Sequence, residues 1–307
     1  MKLKFFIFTF MCFFLTHAQE NFIANDIRIN RYVEGTLLAP RQKNIPLAII
    51  INGSGPTDRN GNQMMMKNDS SKKLAEALST HNIASFRYDK RILKAQKLET
   101  KEEDMRFGDF IEDAIAVLKK FKNDKQFTSI YIIGHSQGSL VGMVAAQNNA
   151  DGFISIAGAG QPIDSVIVEQ IGRQMPGLKE SARESFNELR KKGKSKDFNP
   201  GLASLFKKSV QPFMASWMNY DPQQEIKKLT IPVLLVNGDQ DLQVNLEEAK
   251  KLKAAQPRAK LVIIEDMNHI FRIIDKNDDI ANQKSYNEPQ LPISKELVTQ
   301  ISNFILN

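Results

Sequence analysis

Ser129-Ile130-Tyr131-Ile132-Ile133-Gly134-His135-Ser136-Gln137-Gly138 is an apolar run that breaks into two glycines around a serine. The run is continuous rather than alternating, the pattern of a strand buried on both faces. A stretch of small residues with helical character, Gly138 to Gln147, follows directly. Strand, sharp turn and helix thus meet at Ser136, the centre of a G-x-S-x-G pattern. A serine on so tight a turn holds its hydroxyl clear of the sheet. Gly134 and Gly138 remove side chains that would collide inside the turn. The helix that follows aims its N-terminal amides at the serine and favours an anion developing there. The bare pattern is weak; in this strand–turn–helix setting it marks a candidate nucleophile.

Outward from this turn, strands and helices alternate. Ile27 to Leu38 reads as a strand or hairpin, and Pro46 to Ile51 as a buried strand. Helical spacing marks Ser71 to His81, through Leu74, Ala75 and Leu78, and Phe107 to Phe121, through Phe110, Ile111, Ala114, Val117 and Leu118. Short strands are expected at Ile83 to Tyr88 and Phe153 to Ala157. Residues 161–228 contain no strand-like run and are rich in lysine and helix formers, which predicts a helical insertion. Strand signals return at Ile231 to Val236 and Lys260 to Ile264, with helices at Leu246 to Ala255 and Lys295 to Leu306. Such alternation predicts an α/β fold with a mostly parallel, doubly wound sheet. Residues 19–160 and 229–307 would form its core and residues 161–228 a helical cap. An insertion at that point sits at the carboxyl ends of the strands, where open α/β sheets bind ligands.

The first residues differ from the rest. Lys2 and Lys4 precede an apolar run from Phe5 to Leu15, and Thr16-His17-Ala18 supplies a small residue before Gln19. This is the pattern of a signal peptide, residues 1–18, and predicts export to the periplasm or the medium with no stable membrane insertion after cleavage. Cleavage after Ala18 also removes Cys12, the only cysteine of 307 residues, which excludes disulfides, thiolate metal sites and a cysteine nucleophile in the mature chain. The net charge of +7 is concentrated in Arg190-Lys191-Lys192-Gly193-Lys194-Ser195-Lys196. No aromatic residues interleave with these charges, so the run reads as a solvated helix end and not as a nucleic-acid surface.

With this elbow the sequence resembles the α/β-hydrolase superfamily. More narrowly, through Gly53-Ser54-Gly55-Pro56-Thr57-Asp58-Arg59-Asn60-Gly61-Asn62, Ser209-Val210-Gln211-Pro212-Phe213 and Met267-Asn268-His269, it resembles secreted bacterial carboxylesterase-like hydrolases, a group that also includes serine-aminopeptidase-type domains. The resemblance covers essentially the whole mature chain. It implies an α/β-hydrolase fold and hydrolysis of small-molecule esters through a Ser-Asp-His triad, with no metal and no cofactor. It departs from the pattern at Asn52, where many relatives carry His, and after Arg87-Tyr88-Asp89-Lys90-Arg91, where relatives often continue with Gly.

A serine hydroxyl needs a positioned base. Of four histidines, His17 lies in the signal, His81 at a helix end, and His135 beside the serine, where a regular elbow would turn it away. His269 follows the last strand and completes the order Ser, acid, His. The acid should follow the Ile231 strand, where Asp239 and Asp241 both stand. The family pattern points to Asp241 and leaves Asp239 to shape the turn. An oxyanion hole needs two backbone donors. Gln137 follows the nucleophile, and Ser54 is the donor the resemblance implies in the loop after the Pro46 strand. Asp58 and Arg59 in that loop are expected to brace it against each other. In the insertion, Phe206, Phe213, Met214, Trp217 and Met218 are candidates for an acyl pocket. Two other readings stay open: a serine aminopeptidase of the same fold, and an idle binding protein on a hydrolase scaffold.

Overall fold

The computed structural model describes residues 22–276 and 278–307. The expected signal segment therefore lies outside the described residues. Eight strands form one sheet in the order β1-β2-β4-β3-β5-β6-β7-β8. They are β1 (Phe22–Arg28), β2 (Glu34–Pro40), β3 (Ile45–Ile51), β4 (Ala84–Tyr88), β5 (Phe127–His135), β6 (Gly152–Ile156), β7 (Val233–Gly238) and β8 (Lys260–Ile264). β2 alone runs against the rest, antiparallel to β1 and β4, and every other pairing is parallel. The segment read as a strand or hairpin is thus two strands. The Asn30 side chain turns the chain between them by accepting from the amides of Tyr32 and Val33.

Eleven α-helices are described: α1 (Ser70–Ser79), α2 (Phe107–Lys122), α3 (Gln137–Ala146), α4 (Ile163–Gln174), α5 (Lys179–Lys192), α6 (Ala203–Phe206), α7 (Gln211–Trp217), α8 (Pro222–Lys227), α9 (Leu246–Ala255), α10 (Asp279–Ser285) and α11 (Lys295–Leu306). None is long and apolar enough to cross a membrane. Strand alternation divides them between the two faces of the sheet. Leu47, Ile49 and Ile51 of β3 face one core with α2, α3 and Leu252 of α9. Ala48 and Ile50 face the other, with α1 and α11. Both faces are covered, which is why the parallel strands read as unbroken apolar runs.

The five helices α4 to α8 fill the chain between β6 and β7. They are not a separate body with its own core. Phe186, Phe206, Met214, Trp217 and Ile226 belong to the same buried cluster as the α2–α3 face. Trp217 stacks on Phe107 of α2, with centroids 5.2 Å apart and planes 7° from parallel. Such a pair adds about 0.5–1.5 kcal/mol beyond the area it buries. The basic run ends α5, where cations suit the helix dipole, and Arg190 pairs with Asp164 at 2.9 Å.

Candidate active site

Ser136 sits between β5 and α3 with φ 53° and ψ −120°. A side-chain-bearing residue adopts this conformation only where its surroundings force it, at a cost of about 1–3 kcal/mol. The forcing contacts are backbone. A Cβ on Gly134 would lie 2.3 Å from the Gly138 carbonyl oxygen, and a Cβ on Gly138 2.2 Å from that of Ile51. The Ser136 amide is tied to the Ile156 carbonyl at 2.9 Å, which fastens the turn to β6. The hydroxyl has no hydrogen-bond partner among the described residues.

His269 lies on the loop after β8, buried, and its Nδ1 donates to Asp241 Oδ2 at 2.7 Å. A carboxylate only accepts, so this bond places the ring hydrogen on Nδ1 and leaves the Nε2 lone pair free. The other Asp241 oxygen accepts from the amides of Gln243 and Val244, each at 2.8 Å. Those two bonds aim the carboxylate at the histidine. Asp239 is engaged elsewhere: its carboxylate accepts from the Asp266 amide at 2.6 Å and ties the end of β7 to the turn after β8. Of the two candidate acids, the one in contact with His269 is Asp241.

His135 is not turned away from the site. Its ring packs 4.7 Å from that of His269, and Nε2 donates to the His269 carbonyl oxygen at 2.9 Å. Burial first, and the neighbouring His269 second, hold its pKa well below the usual histidine range. A neutral His135 thus fixes the backbone of the His269 loop. The sequence offered no signal for this, because its partner is a main-chain oxygen.

The loop after β3 forms the opposite wall. Asn52, at the position that departs from the family pattern, donates to the Asp58 carbonyl at 2.7 Å and accepts from the Ser71 hydroxyl. Asp58 and Arg59 do not brace each other. Asp58 accepts from the amides of Asn60 and Asn62, whereas the Arg59 guanidinium grips Asp89 at 2.6 Å and Asp26 at 2.9 Å. Neither the Ser54 nor the Gln137 amide has an acceptor among the described residues. Arg272, one turn beyond His269, is fully buried and donates to the Asn68 carbonyl, tying the two walls together. Burial pushes its pKa down to about 10.

Two cavities meet at Ser54, Ser136 and Gln243. One, about 380 Å³, is bounded by Asn52, Gln63, Asn68, His135, His269 and Tyr286. The other, about 360 Å³, is roofed by the helices after β6 and lined by Ile163, Val166, Ile171, Met214 and Trp217. Neither is lined by an aspartate or glutamate. Met214 and Trp217 therefore reach the space beside Ser136. Phe213 lines a separate cavity of about 130 Å³. Phe206 and Met218 are buried and line neither cavity at Ser136. Among the described residues no group of three His, Cys, Asp or Glu side chains is placed to hold a metal ion.

Comparison with known proteins identifies the family and the fold. Residues 94–283 match the alpha/beta hydrolase family. Esterase EstD of Thermotoga maritima is 30% identical over 262 residues, which is 82% of this chain, and the chain spans 61% of that protein's length. Est1E from Butyrivibrio proteoclasticus superposes with a TM-score of 0.56 at 21% identity, covering 91% of this chain and 99% of that one. A puromycin-hydrolyzing peptidase of Mycobacterium tuberculosis superposes with a TM-score of 0.55 at 14% identity, covering 83% and 37%. At such identities the structural likeness speaks for the fold, and esterases and a peptidase share it.

Proposed function

Because the chain belongs to the alpha/beta hydrolase family, we propose that it is a serine hydrolase, a carboxylesterase that cleaves small acyl esters through Ser136, His269 and Asp241. The observation that carries this reading is the buried Asp241–His269 pair at 2.7 Å, whose histidine lines the same cavity as the strained Ser136. Ser136 Oγ attacks the ester carbonyl carbon while His269 Nε2 takes its proton. Asp241 stabilises the imidazolium without accepting the proton. The carbonyl oxygen becomes an oxyanion, to which the Ser54 and Gln137 amides donate. Collapse breaks the bond to the alcohol oxygen, which leaves with the proton from His269. Water then attacks the acyl-enzyme by the same steps in reverse and releases the acid.

The insertion, residues 161–228, caps the nucleophile in this reading. The apolar cavity beneath it takes the acyl chain, and the polar cavity takes the alcohol. The aminopeptidase alternative is disfavoured, since capture of a substrate ammonium calls for a carboxylate that neither cavity carries. Residues 1–18 direct export, and N-terminal sequencing of secreted protein should begin at Gln19. Side-by-side turnover of p-nitrophenyl acetate and an aminoacyl anilide tests the substrate class, with the acetate cleaved and the anilide not. A fluorophosphonate probe should label folded protein at Ser136; turnover of the anilide alone, or an unlabelled Ser136, sinks the proposal.

A further inference from the structure

Lys90 is a buried lysine with no carboxylate partner among the described residues. It follows β4 by two residues, and the β3–β4 register, in which Ile50 faces Arg87, brings it beside Gly53. Only 7% of the residue is exposed. Its ammonium donates to the Gly53 carbonyl at 2.8 Å and to Gln137 Oε1 at 2.6 Å, and lies 4.7 Å from the centroid of the Phe110 ring. An ammonium has three hydrogens, and these three partners account for them. Burying an unpaired charge is costly, so such a group persists where the surroundings hold it in place. Burial pushes its pKa down to about 7.

One polar partner lies in the peptide unit that carries the Ser54 amide and the other is the side chain of Gln137, and Ser54 and Gln137 are the two donors assigned to the oxyanion above. The Gly53 carbonyl is the other half of the peptide unit that carries the Ser54 N–H. In a trans peptide the carbonyl and N–H point to opposite sides. An ammonium that pins the carbonyl from behind therefore turns the Ser54 N–H toward the serine, and it polarises that N–H. The same ammonium holds the side chain of Gln137, whose own amide opens α3. We propose that Lys90 is a positioning residue that sets both oxyanion donors and stations a positive charge behind them. This rests on the hydrolase reading above, which gives Ser54 and Gln137 an oxyanion to bind.

The experiment uses the full-length protein with p-nitrophenyl acetate. Removing one oxyanion donor costs about 10²–10³ in turnover, and misaiming donors without deleting them should cost Lys90→Met about 10- to 100-fold in kcat with little change in KM. Lys90→Arg, which keeps a charged donor, should recover part of the loss. A trifluoromethyl ketone, whose serine adduct carries the oxyanion, should bind Lys90→Met more weakly by the same factor as kcat/KM, and the matching methyl ketone should not. A merely structural lysine would weaken both ketones alike.

The pH profile, compared between wild type and Lys90→Met, is a further readout. The titratable groups around the ammonium are Tyr88 of β4, Asp113 of α2 with its Arg91 partner, and Glu102, while the strand β3 and helix α3 offer it only neutral oxygens. Wild-type kcat should fall as the pH rises through about 7, where Lys90 loses its proton, and this alkaline limb should vanish in Lys90→Met. An alkaline limb that persists unchanged in Lys90→Met, or undiminished kcat in that variant, overturns the inference while ester turnover by wild type keeps the hydrolase reading. If wild type neither turns over ester nor takes the fluorophosphonate, the hydrolase reading fails and this inference with it. Should Lys90→Met not fold, Lys90→Gln carries the same kcat and ketone tests.

Discussion

The two walls that flank Ser136 are built in opposite ways. The β5–α3 wall is held by backbone packed on backbone, with glycines where the chain crosses itself. The wall after β3 is held by side chains reaching for main-chain groups: Asn52 to Asp58, Asp58 to Asn60 and Asn62, Lys90 to Gly53. A steric wall tolerates no change in shape and gives an all-or-none response to mutation. A hydrogen-bonded wall yields by degrees, because water can replace part of each lost bond. Strain belongs in the first and adjustment of donors in the second.

Breaking the steric wall should have the largest effect. Gly138→Ala sets a methyl group 2.2 Å from the Ile51 carbonyl oxygen, and nothing there is a flexible side chain that could move away. Turnover should vanish, and chemical denaturation should show a loss of roughly 3 kcal/mol or more. Next comes the acid. Asp241→Asn should lower kcat about 10⁴-fold, because the amide holds His269 in the wrong tautomer, and steady-state kinetics should place Asp239→Asn within about tenfold of wild type. A larger loss in Asp239→Asn than in Asp241→Asn would reverse the assignment of the two carboxylates.

The hydrogen-bonded wall should respond more gently. Arg59→Met releases Asp89 and Asp26 and loosens the loop that carries Ser54; kcat/KM should drop about tenfold with the fold intact by circular dichroism. Arg59→Lys should not restore it, since a single ammonium cannot reproduce the forked grip on Asp89. An unchanged kcat/KM in Arg59→Met would mean that the loop holds its shape without this grip. The smallest effect sharpens the contrast. Ser136→Gly and Ser136→Ala should both be inactive, but the glycine variant should be more stable by about 1 kcal/mol, because only it relieves the positive φ.

The same division explains what could be read before the structure. Ser136 and its glycines were legible because sterics leave a residue-type signature: only glycine fits where backbones touch. The strands from Pro46 and Ile231 were legible because burial on both faces forbids polar residues. His269 and Asp241 followed from chain order and from the family resemblance. Lys90, the role of His135, and Arg272 were not legible. Each binds a main-chain oxygen, of Gly53, His269 and Asn68, and a carbonyl carries no residue identity. Strand register could have found Lys90, since β3 and β4 are parallel neighbours that end at the same edge. The α10 helix was missed for a related reason. Asn282 and Ser285 are held by the Asn268 side chain, so apolar spacing never marked the segment. Among the residues between β6 and β7, apolar character alone could not separate Met214 and Trp217, which face the cavity, from Phe206 and Met218, which do not.

The His269 loop has a consequence in time. The elbow is complete once β5, α3 and the β6 carbonyl that holds the Ser136 amide have formed, but the histidine that would activate the serine is about 130 residues further along the chain. At about 5–20 residues per second, a ribosome needs on the order of ten seconds to cover that distance. Throughout that interval a nascent chain carries an exposed serine with no base, and the seal between His135 and the His269 carbonyl cannot close. In the proposed hydrolase, the nucleophile and its base therefore meet only after β8 has been made, and the elbow folds before it has anything to act with.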